Sequence, residues 1–365
     1  MRRMSMGNRI CAAVLAACMC LLLSGCDFWM DGHYSNVKPH LEENVEGSNR
    51  ISQVGSYKEL LQKMVELVES GRQSTMIYLS GGTQQLLETY MQMACQYVTQ
   101  FNAIGAYSVD EITYEVGTSG AKPAVAVVIT YLHDRSEILR MDKVNTMDQA
   151  EELITAALDN CDADVVLRVS YYELLDFQQF VKDYVDNNPQ SCMEMPQVKV
   201  GVYPDMGDER VIQLSFTYQT SRDSLRSMQS AVKQIFSSAK LYVGEDTAAW
   251  EKCSQLYSFL MERYEYKVET SITPPYSLLH HGVGDSKAFA TVYAAMCRQA
   301  GLTCQVVSGT KAGEPWYWNV LLIDGVYYHV DLLRCSSENG FFVKTENEMS
   351  GYVWNYSDYE QKTTA

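Results

Sequence analysis

Basic residues are in short supply in this chain. Lys and Arg number 29 against 45 Asp and Glu, for a formal charge of −16. Binding to nucleic acid needs clustered cations that displace counterions from phosphates, so no nucleic-acid partner is expected. Histidine is also scarce, at 6 residues, and no CxxC pair occurs among the 11 cysteines. Neither a metal site nor a cofactor site is therefore expected. Past the first 25 residues no apolar run reaches the ~18 residues that suggest a transmembrane helix. Phenylalanine is sparse beside tyrosine, 10 against 25. Tyrosine keeps one wet end, which suits exposed or partner-facing surface. What is present is ample apolar material, 47% of the chain. At about 100–200 residues per domain, 365 residues imply two or three domains.

The first residues read as a targeting segment rather than as part of the fold. Arg2, Arg3 and Arg9 precede an apolar stretch from Ile10 to Leu23, and Leu23-Ser24-Gly25-Cys26 follows. Such a basic start, apolar run and small residues before cysteine mark an export signal. The pattern resembles the lipobox of bacterial lipoproteins. That resemblance implies a signal peptide over 1–25, cleavage before Cys26, and a lipid on Cys26 as the membrane anchor at the extracytoplasmic face. Two acyl chains give stable anchoring where one gives only marginal binding. Cleavage would remove three arginines and no acids, taking the formal charge from −16 to −19. Seven cysteines would remain beyond Cys26, an odd number that leaves pairing open. They are expected to act as small buried apolar residues. Residues 26–52 lack periodicity and read as a flexible tether.

Two stretches then resemble each other. Ile129-Thr130-Tyr131 with Arg135 aligns with Phe216-Thr217-Tyr218 with Arg222 at an offset of 87, and Leu79-Ser80 aligns with Val169-Ser170 at 90. Helical spacing is expected over Tyr57–Glu69 and Met147–Asp159, and again over Thr83–Thr99 and Asp176–Asn187. Hairpins are expected at Glu111–Val116 with Val125–Tyr131, and at Gln197–Tyr203 with Arg210–Tyr218, around Gly-containing turns. Each copy thus reads helix–strand–helix–strand–strand, giving small α+β modules over 53–140 and 141–238. They carry no chemical constellation and read as spacer or scaffold, or as a partner-binding surface. A helix over Ser224–Ala239 leads into the last part. Another, capped by Asp246 or Thr247, should run to about Glu265.

Residues 239–365 hold the motifs that carry chemistry. They are Tyr276-Ser277-Leu278-Leu279-His280-His281-Gly282-Val283-Gly284-Asp285-Ser286-Lys287-Ala288-Phe289-Ala290, then Ala300-Gly301-Leu302, then Trp316-Tyr317-Trp318-Asn319-Val320 and Asp324-Gly325 followed by Val330-Asp331. This resembles the transglutaminase-like domain family, which shares the papain-like thiol fold. The resemblance covers about 115 residues and includes a tail from Gly340-Phe341-Phe342-Val343 to Trp354. It implies an α+β domain with a Cys-His-Asp triad. Here Ser286 stands at the cysteine position, Trp316 at the histidine position and Asp331 at the aspartate position.

These two departures matter chemically. The family's thiol is acidified by a helix N-terminus and an imidazolium partner. A serine hydroxyl is far less acidic and needs a general base. Tryptophan offers an N–H donor and no base. The domain is therefore expected to be inactive and to act by binding or scaffolding, toward a cell-wall, glycan or protein ligand. Ser286 is expected to serve as a helix N-cap. Two alternatives stay open. One is an acyl transferase or hydrolase using Ser286, with His329 as substitute base because it shares a strand face with Asp331. The other is a purely structural surface protein. His280 and His281 read as loop residues. Trp316, Tyr317, Trp318 and Tyr327 read as an aromatic cluster that fills a core or, with His329, lines a former cleft. The oligomeric state is open.

Overall fold

Residues 52–268, 271–337 and 344–355 are described by the computed structural model. The export signal, Cys26, nearly all of the tether and the Gly340–Val343 segment lie outside the described residues.

The chain first forms β1 (Ser52–Val54), α1 (Tyr57–Glu69), β2 (Ser74–Leu79), α2 (Gln84–Gln100), α3 (Ala103–Ser108), β3 (Val109–Ser119) and β4 (Lys122–Tyr131). Helix starts follow capping chemistry. Ser56 and Thr83 accept the N–H groups of Glu59 and Leu86. Leu60, Met64, Leu67 and Val68 recur on the buried face of α1. In β4, Val125, Val127 and Ile129 point into the core, as the two-residue strand period requires. The sheet order is β1-β2-β4-β3, parallel between β1 and β2 and antiparallel elsewhere.

After α4 (Arg135–Arg140), started by an Asp134–Glu137 capping box, come β5 (Asp142–Val144), α5 (Met147–Asp159), β6 (Asp164–Val169), α6 (Phe177–Asn187), β7 (Gln197–Tyr203) and β8 (Arg210–Thr217). This sheet runs β5-β6-β8-β7. The short strands β1 and β5 and the short helices α3 and α4 are additional to the elements expected from sequence. Three residues are too few to display alternation, and six too few to display a helical period.

The second sheet closes the core of the first layer. Val211, Val166 and Tyr203 pack against the cluster built from α1, α2, α3 and the first sheet. Tyr107 of α3 meets Tyr203 edge-on at 5.7 Å and stacks on His133 at 4.2 Å. Arg168 of β6 spans the junction, reaching Glu69 at 2.8 Å and Glu209 at 2.7 Å.

The remaining elements are α7 (Arg222–Tyr242), α8 (Ala249–Met261), β9 (Glu265–Tyr266), β10 (Val283–Gly284), α9 (Ser286–Gln299), β11 (Thr303–Lys311), β12 (Glu314–Ile323), β13 (Val326–Val330), α10 (Leu332–Ser337) and β14 (Tyr352–Trp354). The expected caps at Asp246 or Thr247 are not used. Ala248 occupies the cap position without a side-chain bond, because Thr247 N–H closes a turn onto Gly244 O at 3.3 Å. The helix ends at Met261 rather than near Glu265, since the N–H groups of Arg263 and Tyr264 both return to Leu260 O. His280 and His281 lie in a π-helical turn, Ser277–His281, and not in a loop.

The third sheet runs β13-β12-β11-β14, all antiparallel. Its two faces bury different things. Leu321, Ile323 and Val330 pack against Ala288, Phe289, Val292 and Met296 of α9. Trp318, Val320 and Val307 pack on the other face with Met349 and Tyr352. The seven cysteines beyond Cys26 form no disulfide among the described residues; six are buried and Cys95 is half-buried. The protein is thus α+β.

Candidate active site

Asp331 lies immediately after β13 and is 5% exposed. Its Oδ1 accepts the N–H groups of Leu333 at 3.1 Å and Arg334 at 3.2 Å, which starts α10. Its Oδ2 accepts three donors: the Tyr352 hydroxyl at 2.6 Å, Lys311 Nζ at 2.8 Å and Trp316 Nε1 at 2.9 Å. A carboxylate offers about four lone-pair sites. Five donors therefore saturate it. Charge-assisted bonds of this kind are the strong ones. Burial first, then the Asp331 contact, holds the Tyr352 hydroxyl well above the usual phenol range, so it stays a donor.

Trp316 is half-buried, and its ring is enclosed on two sides. Lys311 Nζ sits 4.7 Å from the ring centroid, a cation–π contact, and the Tyr266 ring lies 5.6 Å away. Tyr266 pairs in register with Gly284, two residues before Ser286. Burial, then Asp285 and Asp331, raises its hydroxyl pKa. Tyr266 therefore links the start of α9 to the Trp316–Asp331 pair. The ring of Trp316 fills the space between these groups.

Ser286 is the first residue of α9 and is buried, but it does not cap the helix. Asp285 does, accepting Ala288 N–H at 2.8 Å from an extended backbone. The expectation that Ser286 is the cap fails by one residue. Aspartate caps as well as serine, and here it comes first along the chain. Helix α9 is held on the sheet by Asn319 Nδ2, which donates to Ala290 O at 2.8 Å.

His329 is buried and already bonded to Trp318. It pairs in register with Val320, and directly paired residues share a sheet face. That face carries Trp318, whose Nε1 donates to His329 Nδ1 at 3.0 Å, and it is opposite the face covered by α9. His329 is 1% exposed, and burial lowers its pKa from 6.5 to about 4. It does lie on the Asp331 side of the sheet, as strand alternation implied, but Trp316 rather than His329 occupies the carboxylate. The aromatic cluster also divides. Trp316, Trp318 and Tyr327 join one side. Tyr317 points to the other, where Lys287 Nζ lies 5.8 Å from its ring. Of the residues considered for a ligand surface, Trp318 and His329 are sealed in, and Tyr317 is half-buried. Lys311, Tyr266 and Tyr352 were missed in the sequence. Tyr352 lies in the tail that carries the family resemblance, whereas nothing in the spacing distinguishes Lys311 or Tyr266 from other strand-end residues.

Residues 237–354 match the model of the transglutaminase-like superfamily, and this part of the chain is a transglutaminase-like domain. Among solved structures, a TGase is 11% identical with a TM-score of 0.26, over 46% of this chain and 50% of that one. A proposed cysteine protease from Cytophaga hutchinsonii is 12% identical with a TM-score of 0.26, over 43% of this chain and 70% of the other. A proposed protease from Parabacteroides distasonis is 8% identical with a TM-score of 0.23, over 76% of this chain and 44% of the other. The chain thus spans half the length of that TGase. No curated protein matches it.

The cap geometry predicts that Asp285→Ala costs about 0.5–2 kcal/mol of stability, and that Ser286→Ala, which removes no capping bond, costs less. Denaturant unfolding of both variants checks this, and the reverse ranking would refute the assignment.

For His329 the unfolded side chain takes a proton near pH 6.5 and the folded one only near 4. The unfolded state therefore binds more protons in that window. The stability that the neutral ring contributes is complete above pH 6.5 and is lost as pH falls toward 4, by about 3 kcal/mol at most. His329→Gln keeps an acceptor for Trp318 but does not titrate. Its unfolding free energy should fall less across the window than that of wild type. Parallel pH profiles would contradict the buried neutral ring.

Proposed function

We propose that this chain is an exported lipoprotein, held at the extracytoplasmic face of the membrane through Cys26, whose transglutaminase-like domain acts by binding or scaffolding and not by catalysis. The observation that carries this reading is the 2.9 Å bond from Trp316 Nε1 to Asp331. In a Cys-His-Asp arrangement the aspartate orients an imidazole that then works as a base. An indole N–H satisfies the same carboxylate and has no basic nitrogen to offer. Lys311 and Tyr352 on the same oxygen support a structural role for Asp331. The burial of His329 and its bond to Trp318 disfavour a serine enzyme built on Ser286 with that base.

The two α+β layers are read as sibling modules of about 90 residues, which the common strand order supports. They would act as a spacer between the anchor and the domain. The partner class is a cell-wall fragment, glycan or protein. Exposed Tyr266 and half-buried Tyr317 are the aromatic side chains near Ser286 that such a ligand could reach.

The reading predicts no transamidation, deamidation or peptide hydrolysis by the purified protein, and no labelling by a fluorophosphonate. Ser286→Cys alone should stay inactive. Ser286→Cys with Trp316→His is the variant in which activity could return, because Asp331 is in place to orient the imidazole. Wild-type turnover that disappears in Ser286→Ala would sink the proposal. The anchor is tested separately with Cys26→Ala, which should stay unacylated and unprocessed; a variant still acylated and retained on the membrane would refute it.

A further inference from the structure

Helix α2 and its C-terminal cap residue Phe101 present a stripe that the described residues leave exposed. Leu86, Met93, Tyr97 and Phe101 are 39%, 48%, 40% and 44% exposed. With 3.6 residues per turn they fall within an arc of about 80°, beside the buried Leu87, Met91, Ala94 and Val98. Tyr97 and Phe101 already contact each other at 6.1 Å. An exposed helix usually flanks its apolar stripe with charge. This one has a single charged residue, Glu88, and it is turned aside to accept the Tyr114 hydroxyl at 2.9 Å. The flanks are Gln85, Thr89, Gln92, Gln96 and Gln100, in a chain that is otherwise 20% charged. Charge depletion around Met and aromatic residues is the composition of an interface core.

The kind of partner follows from the same residues. A two-fold interface brings one surface against itself, so its groups must be self-complementary. Glutamine, threonine and tyrosine each carry donor and acceptor, and meet that condition. Charged residues meet it only where both signs are present, and this stripe carries neither. In a chain of formal charge −16 a neutral helix is also where two copies approach with least repulsion. Helix α6, which follows β6 as α2 follows β2, shows the contrast. It is covered by another part of the chain and uses charge to do so: Asp186 pairs with Lys287 at 2.7 Å, and Asn187 O accepts Arg298 at 2.6 Å. A distinct charged partner would find no counter-charges on the α2 stripe.

We propose that two copies of this chain pair through α2, crossing near Met93 with the Leu86–Met93–Tyr97–Phe101 stripes in contact and the glutamines bonded at the rim. The pairing leaves the transglutaminase-like domain of each copy uninvolved, so it stands or falls independently of the proposed function.

Sedimentation equilibrium of the full chain in density-matched detergent tests it, with the variants Met93→Lys and Met93→Glu. Wild type should show a reversible monomer–dimer equilibrium. Each variant should self-associate at least about tenfold more weakly, the loss expected for an interface-core residue. Both should melt like wild type at dilutions where wild type is monomeric, because Met93 is half-exposed in the single chain. Mixing the two variants should restore dimer, since lysine then faces glutamate across the two-fold axis. A wild type that is monomeric throughout overturns the proposal. So does a dimer equally tight in both variants, or a mixture no tighter than either variant alone.

Discussion

The carboxylate of Asp331 is the point at which the transglutaminase-like domain is tied together. It joins the end of β13 to the start of α10, the end of β11 through Lys311, the start of β12 through Trp316 and β14 through Tyr352. A buried carboxylate is costly unless every lone pair is met, and removing one donor leaves the charge partly unpaired. This makes the group demanding of its neighbours. Trp316 leaves no hole beside this carboxylate, because the indole supplies an N–H to it while its ring packs between Tyr266 and Lys311. A motif that elsewhere holds a base in place can in this way persist as a structural joint.

Placement of the domain depends on the layers before it. The first layer shares its core with the second sheet, and the second layer reaches α9 through Asp186 and Asn187. The helix that begins at Ser286 is therefore braced from outside its own domain. Asp285 caps its start, Asn319 bonds it to the sheet, and Asp186 and Asn187 hold it from α6. Such bracing suits a scaffold as well as it would suit a nucleophile, so the fold alone does not decide the chemistry.

Much of this was legible in the sequence where the pattern was long. Helices α1 and α5 have the bounds that apolar spacing indicates, Tyr57–Glu69 and Met147–Asp159, because each presents one clean buried stripe over three turns. The hairpins were legible from alternation and turn glycines. Short elements such as β1, β5 and α3 were not, since their stability comes from pairing and packing with distant residues. Caps were misjudged by local logic: Asp285 and Ser286 are both good caps in isolation, and the extended backbone of Asp285 decides between them. The partners of Asp331 were the least legible. Lys311 and Tyr352 lie 20 and 21 residues from it in sequence and meet it through sheet order.

The central claim is that Trp316 and Asp331 form a structural pair. A double-mutant cycle with Trp316→Phe and Asp331→Asn measures it directly, because phenylalanine removes the indole N–H and asparagine removes the charge that receives it. Unfolding free energies of wild type, both single variants and the double variant should give a coupling energy of about 1–3 kcal/mol, the range for a hydrogen bond to a buried charged group. Additive effects, with no coupling beyond about 0.3–0.5 kcal/mol, would contradict the account.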